Sequence, residues 1–316
     1  MSRRIALVGA RGHTGSELLG LLARHPDFEL AVASSRSRAG QAISASCPAW
    51  PDPESRFVEL SPGGVREHPA EAWVLALPNG HAEEWVAAIS AIQPTAVILD
   101  LSADYRFSDA WVYGLPERFR ERIRGALRIA NPGCYATGAQ LALLPLLEAL
   151  AGAPSVFGVS GYSGAGSKPS PRNDPERLRD NLLPYALAGH IHEREVSHQL
   201  GREVRLLPHV AAFFRGISLT VEARLTDAAD PQDLLARYRD HYAGEPLVRV
   251  GAEIPEIRQV VGTPLAMLGG FVVDERDPRR VALVATLDNL AKGAASQALQ
   301  NLNLALGLDE FTGLTV

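Results

Sequence analysis

The chain is poor in cysteine, methionine and aromatic residues. Only Cys47 and Cys134 occur in 316 residues. That excludes a disulfide framework and fits a reducing compartment, so a cytoplasmic setting is expected. No apolar run approaches the roughly 20 residues that a bilayer span requires. The apolar stretch at residues 5–8 follows Arg3 and Arg4, as in a signal peptide, but it soon runs into glycines with no small-residue cleavage site. Positive charge is not in excess either: 31 Lys and Arg against 36 Asp and Glu leave a net charge of −5. Neither a nucleic acid nor an anionic membrane is favoured as a partner. Internal repeats, low-complexity tracts and long linkers are lacking as well. What remains is 46% hydrophobic and 21% charged, an ordinary globular composition in a chain long enough for two domains.

Residues 5–8 read as a strand buried on both faces of a parallel sheet. Gly9, Gly12 and Gly15 follow in a G-x-x-G-x-x-G spacing, with Arg11, His13 and Thr14 between them, and residues 16–22 then have helical apolar spacing. Strand, glycine turn and helix predict a dinucleotide site, because glycines let the backbone approach a pyrophosphate at the helix start. A second strand at residues 29–33 ends at Ser34, Ser35, Arg36, Ser37 and Arg38. The acidic residue that commonly grips an NAD ribose is missing from that stretch. Guanidinium groups suit a 2′-phosphate, so NADP is the expected cofactor. Strands at residues 72–77 and 96–100 end near Asn79, His81 and Ser102, which become candidates for the cofactor crevice.

Cys134 follows Asn131, Pro132 and Gly133 and precedes a helical pattern through residue 145. Amide dipoles at a helix N-terminus favour a thiolate, and a thiolate near a nicotinamide suggests covalent catalysis at a carbonyl. Cys47, before Pro48, has no such setting and reads as a packed thiol. The pair His190 and His192 precedes another helical stretch. An imidazole can donate and recover a proton near neutral pH. Nothing nearby supplies a convincing metal-ligand set, so no metal is expected. A glycine-rich loop with Ser163, Gly164, Ser167 and Lys168 presents amides to an anion, and Arg106 and Arg215 are candidate clamps for a carboxylate or phosphate. Alternation through residues 217–225 predicts an antiparallel sheet with one open face.

Residues 129–138, around Asn131 and Cys134, resemble the active-site signature of the N-acetyl-gamma-glutamyl-phosphate reductases. The similarity extends over nearly the whole chain. Residues 9–15 resemble that family's first glycine turn, although the family more often has tyrosine where His13 stands. Residues 35–37 resemble its NADP-side loop, residues 100–106 its aspartate-to-arginine stretch, and residues 160–168 its glycine-serine loop. Residues 288–298 resemble its C-terminal motif, which implies Asn289 and Lys292 as cofactor contacts. The resemblance implies an α/β chain of two domains: a Rossmann-type NADP-binding domain at 1–133, completed by a C-terminal helix at 290–316, and an α+β catalytic domain at 134–289. The plan is that of the glyceraldehyde-3-phosphate and aspartate-semialdehyde dehydrogenases. It also implies Cys134 as nucleophile, His192 as acid/base, a small acyl-phosphate substrate and a homodimer or homotetramer. The implied reaction is NADPH-dependent reduction of N-acetyl-glutamyl phosphate on the route to arginine. The alternatives are a related acyl phosphate, aspartyl or carrier-bound aminoadipyl or glutamyl, and an NADP sensor without turnover. Phe213 and Phe214 depart from the family's more compact apolar run before Arg215.

Overall fold

The structure, a computed structural model, describes residues 2–315. In chain order its first strands and helices are β1 (Arg3–Val8), α1 (His13–Leu22), β2 (Phe28–Ser34), β3 (Ala72–Leu75), α2 (Glu83–Ile92), β4 (Val97–Asp100), β5 (Val112–Tyr113), α3 (Pro116–Ile123) and β6 (Arg128–Ala130). There follow α4 (Cys134–Leu143), β7 (Ser155–Gly161), α5 (Pro175–Leu178), β8 (Leu183–Pro184), α6 (Ile191–Leu200), β9 (Arg205–Ala211) and β10 (Ile217–Arg224). The last are α7 (Pro231–His241), β11 (Val248–Val250), β12 (Ala266–Asp274), β13 (Asp277–Leu287) and α8 (Ser296–Ala305). The chain divides into two compact units: residues up to Gly133 with Ala294–Thr315, and Cys134–Gly293. Residues 290–293, Lys292 among them, group with the second unit, whereas the sequence analysis gave them to the first. A π-turn at Ala291–Ala295 precedes α8. Among the described residues no helix is long and apolar enough to cross a membrane.

The first unit holds a six-stranded, all-parallel sheet in the order β2-β1-β3-β4-β6-β5. Ile5 and Leu7 of β1 face a layer with Leu18 and Leu19 of α1 and Leu299 and Leu302 of α8. Ala6 and Val8 face the opposite layer with Trp85 and Ile89 of α2. Both faces are dry, which is why β1 reads as an unbroken apolar run rather than an alternation. The strand order reverses at β1, with β2 on one side and β3 on the other, so the carboxyl ends of β1 and β3 form a topological switch point. Gly9 sits there with φ +85°, and a Cβ on it would lie 2.2 Å from the Ala76 carbonyl oxygen. Positive φ and backbone contact act together, so Gly9→Ala is expected to cost roughly 2–5 kcal/mol. Chemical denaturation measures this, and a variant as stable as the parent would contradict the close approach.

The second unit holds a seven-stranded sheet in the order β11-β12-β13-β10-β7-β9-β8. It is mixed rather than antiparallel throughout: β10 runs antiparallel to both neighbours, but β11 with β12 and β7 with β9 are parallel pairs. In β10, Ile217, Leu219, Val221 and Ala223 are buried while Thr220, Glu222 and Arg224 are exposed. The buried side receives α4 so closely that a Cβ at Gly138 would meet Leu219 and Leu287 side-chain atoms at 2.6 Å. On the other side Phe157, Leu207 and Val272 are exposed.

Candidate active site

In the first unit, the three glycines of the turn do different work. Gly9 permits the approach to Ala76. Gly15 brings α1 onto the turn, since its Cβ would lie 2.8 Å from both Ala10 Cα and the Gly9 carbonyl oxygen. Gly12, the residue before α1, has nothing nearer its Cβ position than the Gly9 carbonyl oxygen at 3.8 Å. The backbone is therefore open on that side, at the start of a helix whose N-terminal dipole favours an anion. Arg11 donates from Nη1 to Ser37 Oγ at 3.1 Å, joining the glycine turn to the loop after β2. The Ser35 hydroxyl in that loop is buried with no hydrogen-bond partner among the described residues. A buried polar atom of this kind is usually completed by a ligand or water. Open glycine backbone, helix start and waiting hydroxyl fit a dinucleotide.

Arg36 and Arg38 flank the same loop, and Arg38 donates to Ser46 Oγ. Arg36 forms an ion pair with Glu59 at 3.3 Å, both side chains being well exposed. Glu59 lies far from the β2 end in the sequence. It arrives from a distant stretch because Val58 bridges Ser34 in parallel. Asn79 Oδ1 accepts the Ala103 amide at 3.0 Å, and Ser102 Oγ donates to Asp100 Oδ2 at 2.6 Å. Burial, opposed by the Ser102 hydrogen bonds, raises the Asp100 carboxyl above the usual range. Asn79 and Ser102 thus knit the loops after β3 and β4, whereas His81 is exposed. Arg106 is not a clamp reaching outward. It is buried, with Nε on the Asn131 carbonyl and Nη2 on the Leu101 carbonyl, each at 2.8 Å. Asn131 is fully buried and its Oδ1 accepts from Asn301 Nδ2 at 2.9 Å. Both residues therefore brace the turn that leads to Cys134.

In the second unit, Cys134 is the first residue of α4 and is partly accessible. The chain passes it tightly at Gly293, where a Cβ would lie 2.6 Å from Cys134 Cβ. Next to it Tyr135 is buried over Gly158, which has no side chain to block the ring, and donates from Oη to the His209 carbonyl at 2.8 Å. Burial pushes the Tyr135 phenol well above its ordinary value, and burial likewise pushes Tyr185 up to about 12. The Arg172 guanidinium lies 4.8 Å from the Tyr185 ring centre. The His190 and His192 rings lie 4.9 Å apart, and the His192 ring is 6.1 Å from Tyr135. This cluster sits at the start of α4 and α6, and Tyr135, Arg172 and Tyr185 within it were not singled out from the sequence.

His190 is the residue before α6, and its Nδ1 accepts the His192 amide at 3.1 Å. Glu193 accepts the Gly189 amide at 2.7 Å and the Leu206 amide at 2.9 Å. His190 therefore caps α6 through its ring, and Glu193 ties the preceding residue and β9 to the start of the same helix. Burial, followed by the charge of Arg172, lowers the His190 imidazole to about 4, with Glu193 opposing.

The other anion-site candidates divide. Ser163 is buried and its Oγ accepts from Asn289 Nδ2 at 2.9 Å, while Asn289 Oδ1 accepts the Gly216 amide at 2.7 Å. Asn289 was expected at the cofactor; its amide instead pins two loops of the second unit. Arg215 Nε donates to Asp288 at 2.6 Å, and the same carboxylate also takes the Gly262 and Leu290 amides. Gly164, Ser167 and Lys168 are exposed, and Asn173 Nδ2 shapes their loop through the Gly166 and Lys168 carbonyls, each at 2.8 Å. Lys292 is fully buried. His209 lies on the opposite face of β9 from Leu206, Pro208 and Val210, and its ring packs 4.5 Å from Phe157. It is turned to the open side of the sheet, away from α4, so it is no substitute for His192.

A six-stranded parallel-sheet unit of dinucleotide-binding type, joined in one chain to a mixed-sheet unit with a cysteine at a helix start, has the plan of an NAD(P)-linked dehydrogenase of the semialdehyde type. Two family profiles match: "Semialdehyde dehydrogenase, NAD binding domain" over residues 4–126, and "Semialdehyde dehydrogenase, dimerisation domain" over residues 134–289. The N-acetyl-gamma-glutamyl-phosphate reductase of Stenotrophomonas maltophilia is 53% identical over 310 residues, 98% of this chain and 97% of that one. The reductase of the same name from Xanthomonas campestris is 53% identical over 98% of both chains. The aspartate semialdehyde dehydrogenase II structure from Vibrio cholerae has the same fold, with TM-score 0.77 at 17% identity over 97% of this chain and 99% of that one. The chain belongs to the N-acetyl-gamma-glutamyl-phosphate reductases, a branch of the semialdehyde dehydrogenase family.

Proposed function

We propose that the protein reduces N-acetyl-glutamyl 5-phosphate to N-acetyl-glutamate 5-semialdehyde with NADPH, in the cytoplasm, as a step of arginine biosynthesis. The carrying observation is Cys134 at the first position of α4, next in the chain to Tyr135, whose ring packs against His190 and His192. Helix dipoles favour the thiolate there. Its sulfur adds to the acyl carbon, and the carbonyl electron pair moves to oxygen. When that pair returns, the bond to the phosphate oxygen breaks, leaving inorganic phosphate and an acyl thioester. The bound nicotinamide supplies the hydride that reduces the thioester. His192 holds the proton on the acyl oxygen and takes it back as the carbon–sulfur bond breaks, releasing aldehyde and thiolate. A phosphate-dependent reverse assay across N-acetyl-glutamate, glutamate, aspartate and carrier-bound aminoadipate semialdehydes, with NADP and NAD, tests the reading. Preference for any but the first would overturn the substrate assignment.

For the cofactor, Arg11, Arg36 and Arg38 would hold the 2′-phosphate near Ser35, and the Gly12 side of the turn would take the pyrophosphate. Arg36→Ala with Arg38→Ala is expected to weaken NADPH binding about 10–100-fold, the worth of one or two charge-assisted hydrogen bonds, and NADH binding much less. Glu59→Gln frees Arg36 from a competing charge and should tighten NADPH by up to about 5-fold. Fluorescence titration reads both, and equal losses for the two cofactors would remove the arginines from the 2′-phosphate. The second unit's open sheet face, with Phe157, Leu207 and Val272 exposed, supports assembly as a homodimer or homotetramer.

A further inference from the structure

The geometry points to His190 as a neutral hydrogen-bond donor to the acyl oxygen that gains negative charge when Cys134 adds to the substrate. The inference rests on the thioester chemistry proposed above and assigns a second histidine a role distinct from that of His192. An amide N–H can only donate, so the bond from the His192 amide at 3.1 Å makes His190 Nδ1 an acceptor. The proton of the neutral ring must then sit on Nε2, and the helix cap fixes both the tautomer and the ring's position. Three aromatic side chains fix the ring plane: Tyr185 at 5.5 Å and 73°, Tyr135 at 6.2 Å and 83°, and His192 at 4.9 Å and 82° between planes. Tyr135 is the residue after Cys134 in α4, so the ring packs on the neighbour of the nucleophile. Nε2 is not among the buried polar atoms left without a partner, and no acceptor among the described residues takes it. It is a pre-aimed N–H with its hydrogen available to a ligand.

The charged and titratable groups around the ring keep it neutral. Arg172, from the loop before α5, opposes a second positive charge; Glu193, one turn along α6, favours one; burial decides against it. Tyr135, Tyr185, Cys134 and His192 complete the surroundings. A charged imidazole would lose the cap, because a protonated Nδ1 cannot accept the His192 amide. Arg172 and Tyr185 are therefore positioning residues: the guanidinium over the phenol ring, and the phenol against His190, hold the donor in its neutral form. A preorganised neutral donor stabilises a developing oxyanion without taking part in proton transfer. Two neighbouring histidines can thus differ in task, one moving a proton and the other keeping its own.

His190→Ser separates cap from donor, since serine caps helices well but cannot reach where the imidazole reaches. The expected result is an unchanged melting temperature, a kcat about 100-fold lower in the reverse reaction, and a pH profile of unchanged shape. Acylation of Cys134 by acetyl phosphate alone, followed by mass spectrometry, should slow by a similar factor. That readout does not depend on the natural substrate, so wild-type protein that is acylated yet inactive on N-acetyl-glutamate semialdehyde would count against the substrate reading only. In ¹⁵N-histidine NMR of the wild-type chain, His190 should keep Nε2–H from pH 8 to about pH 5.5. Arg172→Leu should move its titration toward neutral pH. Acylation within threefold of wild type in His190→Ser, an effect confined to the KM for phosphate, or an Nδ1–H tautomer would each overturn the proposal.

Discussion

Cys134→Ser is expected to retain nucleotide binding and to lose at least about 10³-fold in kcat, because a serine hydroxyl at a helix N-terminus stays protonated where a thiol ionises. The substitution is nearly isosteric, so loss of fold cannot account for it. Gly293 crosses within van der Waals contact of the Cys134 Cβ, and the smaller oxygen adds no crowding. Stopped-flow fluorescence with NADPH would report intact binding, and incubation with acyl phosphate should leave no adduct on the protein. Turnover near the wild-type level would remove Cys134 from the mechanism. Cys47→Ser is the matched control. Cys47 is buried in the first unit's apolar core, so its replacement should reduce stability by about 1–3 kcal/mol through an uncompensated hydroxyl, with kcat nearly unchanged.

His192→Asn is the second large effect. As proton carrier, His192 should account for about 10²–10⁴-fold in kcat. A residue that only positions substrate would chiefly raise KM, so steady-state kinetics separate the two roles. The contrast with His190 sharpens the test. The His190 imidazole, lowered to about 4 mainly by burial, is neutral throughout the working range and does not pass a proton to the acyl oxygen. For stability the sign follows from the same shift. A histidine with a folded value below its unfolded value binds more protons when unfolded. Its destabilising contribution is therefore absent above about pH 6.5 and grows as pH falls toward about 4. Mild acid should loosen the start of α6 before it affects the sheets, and hydrogen exchange at the His192 amide would detect it.

The local features of the site were legible before any tertiary contact was known. A strand buried on both faces, a glycine turn at residues 9–15, a helix opening at Cys134 and a helical stretch after His190 and His192 are encoded within a few residues. Their causes are steric limits on backbone angles and hydrogen bonds to near neighbours, so sequence order alone determines them. The direction in which a side chain points across the fold follows different rules. Arg106 and Asn289 were read as ligand contacts, but one reaches carbonyls about 5 and 25 residues away in the chain and the other pins Gly216 and Ser163. Glu59 entered the cofactor loop through a bridge between Ser34 and Val58, a pairing no local pattern announces. His209 turned to the open face because strand residues alternate sides, and only the register of β9 against β7 decides which side is which. Tyr185 and Arg172 joined the histidines because their loops fold back over the start of α4, and tertiary packing alone brings such residues together. The nucleophile and its helix were thus written in the sequence, while the environment that keeps His190 neutral beside His192 was decided by burial and by charges from loops far apart in the chain.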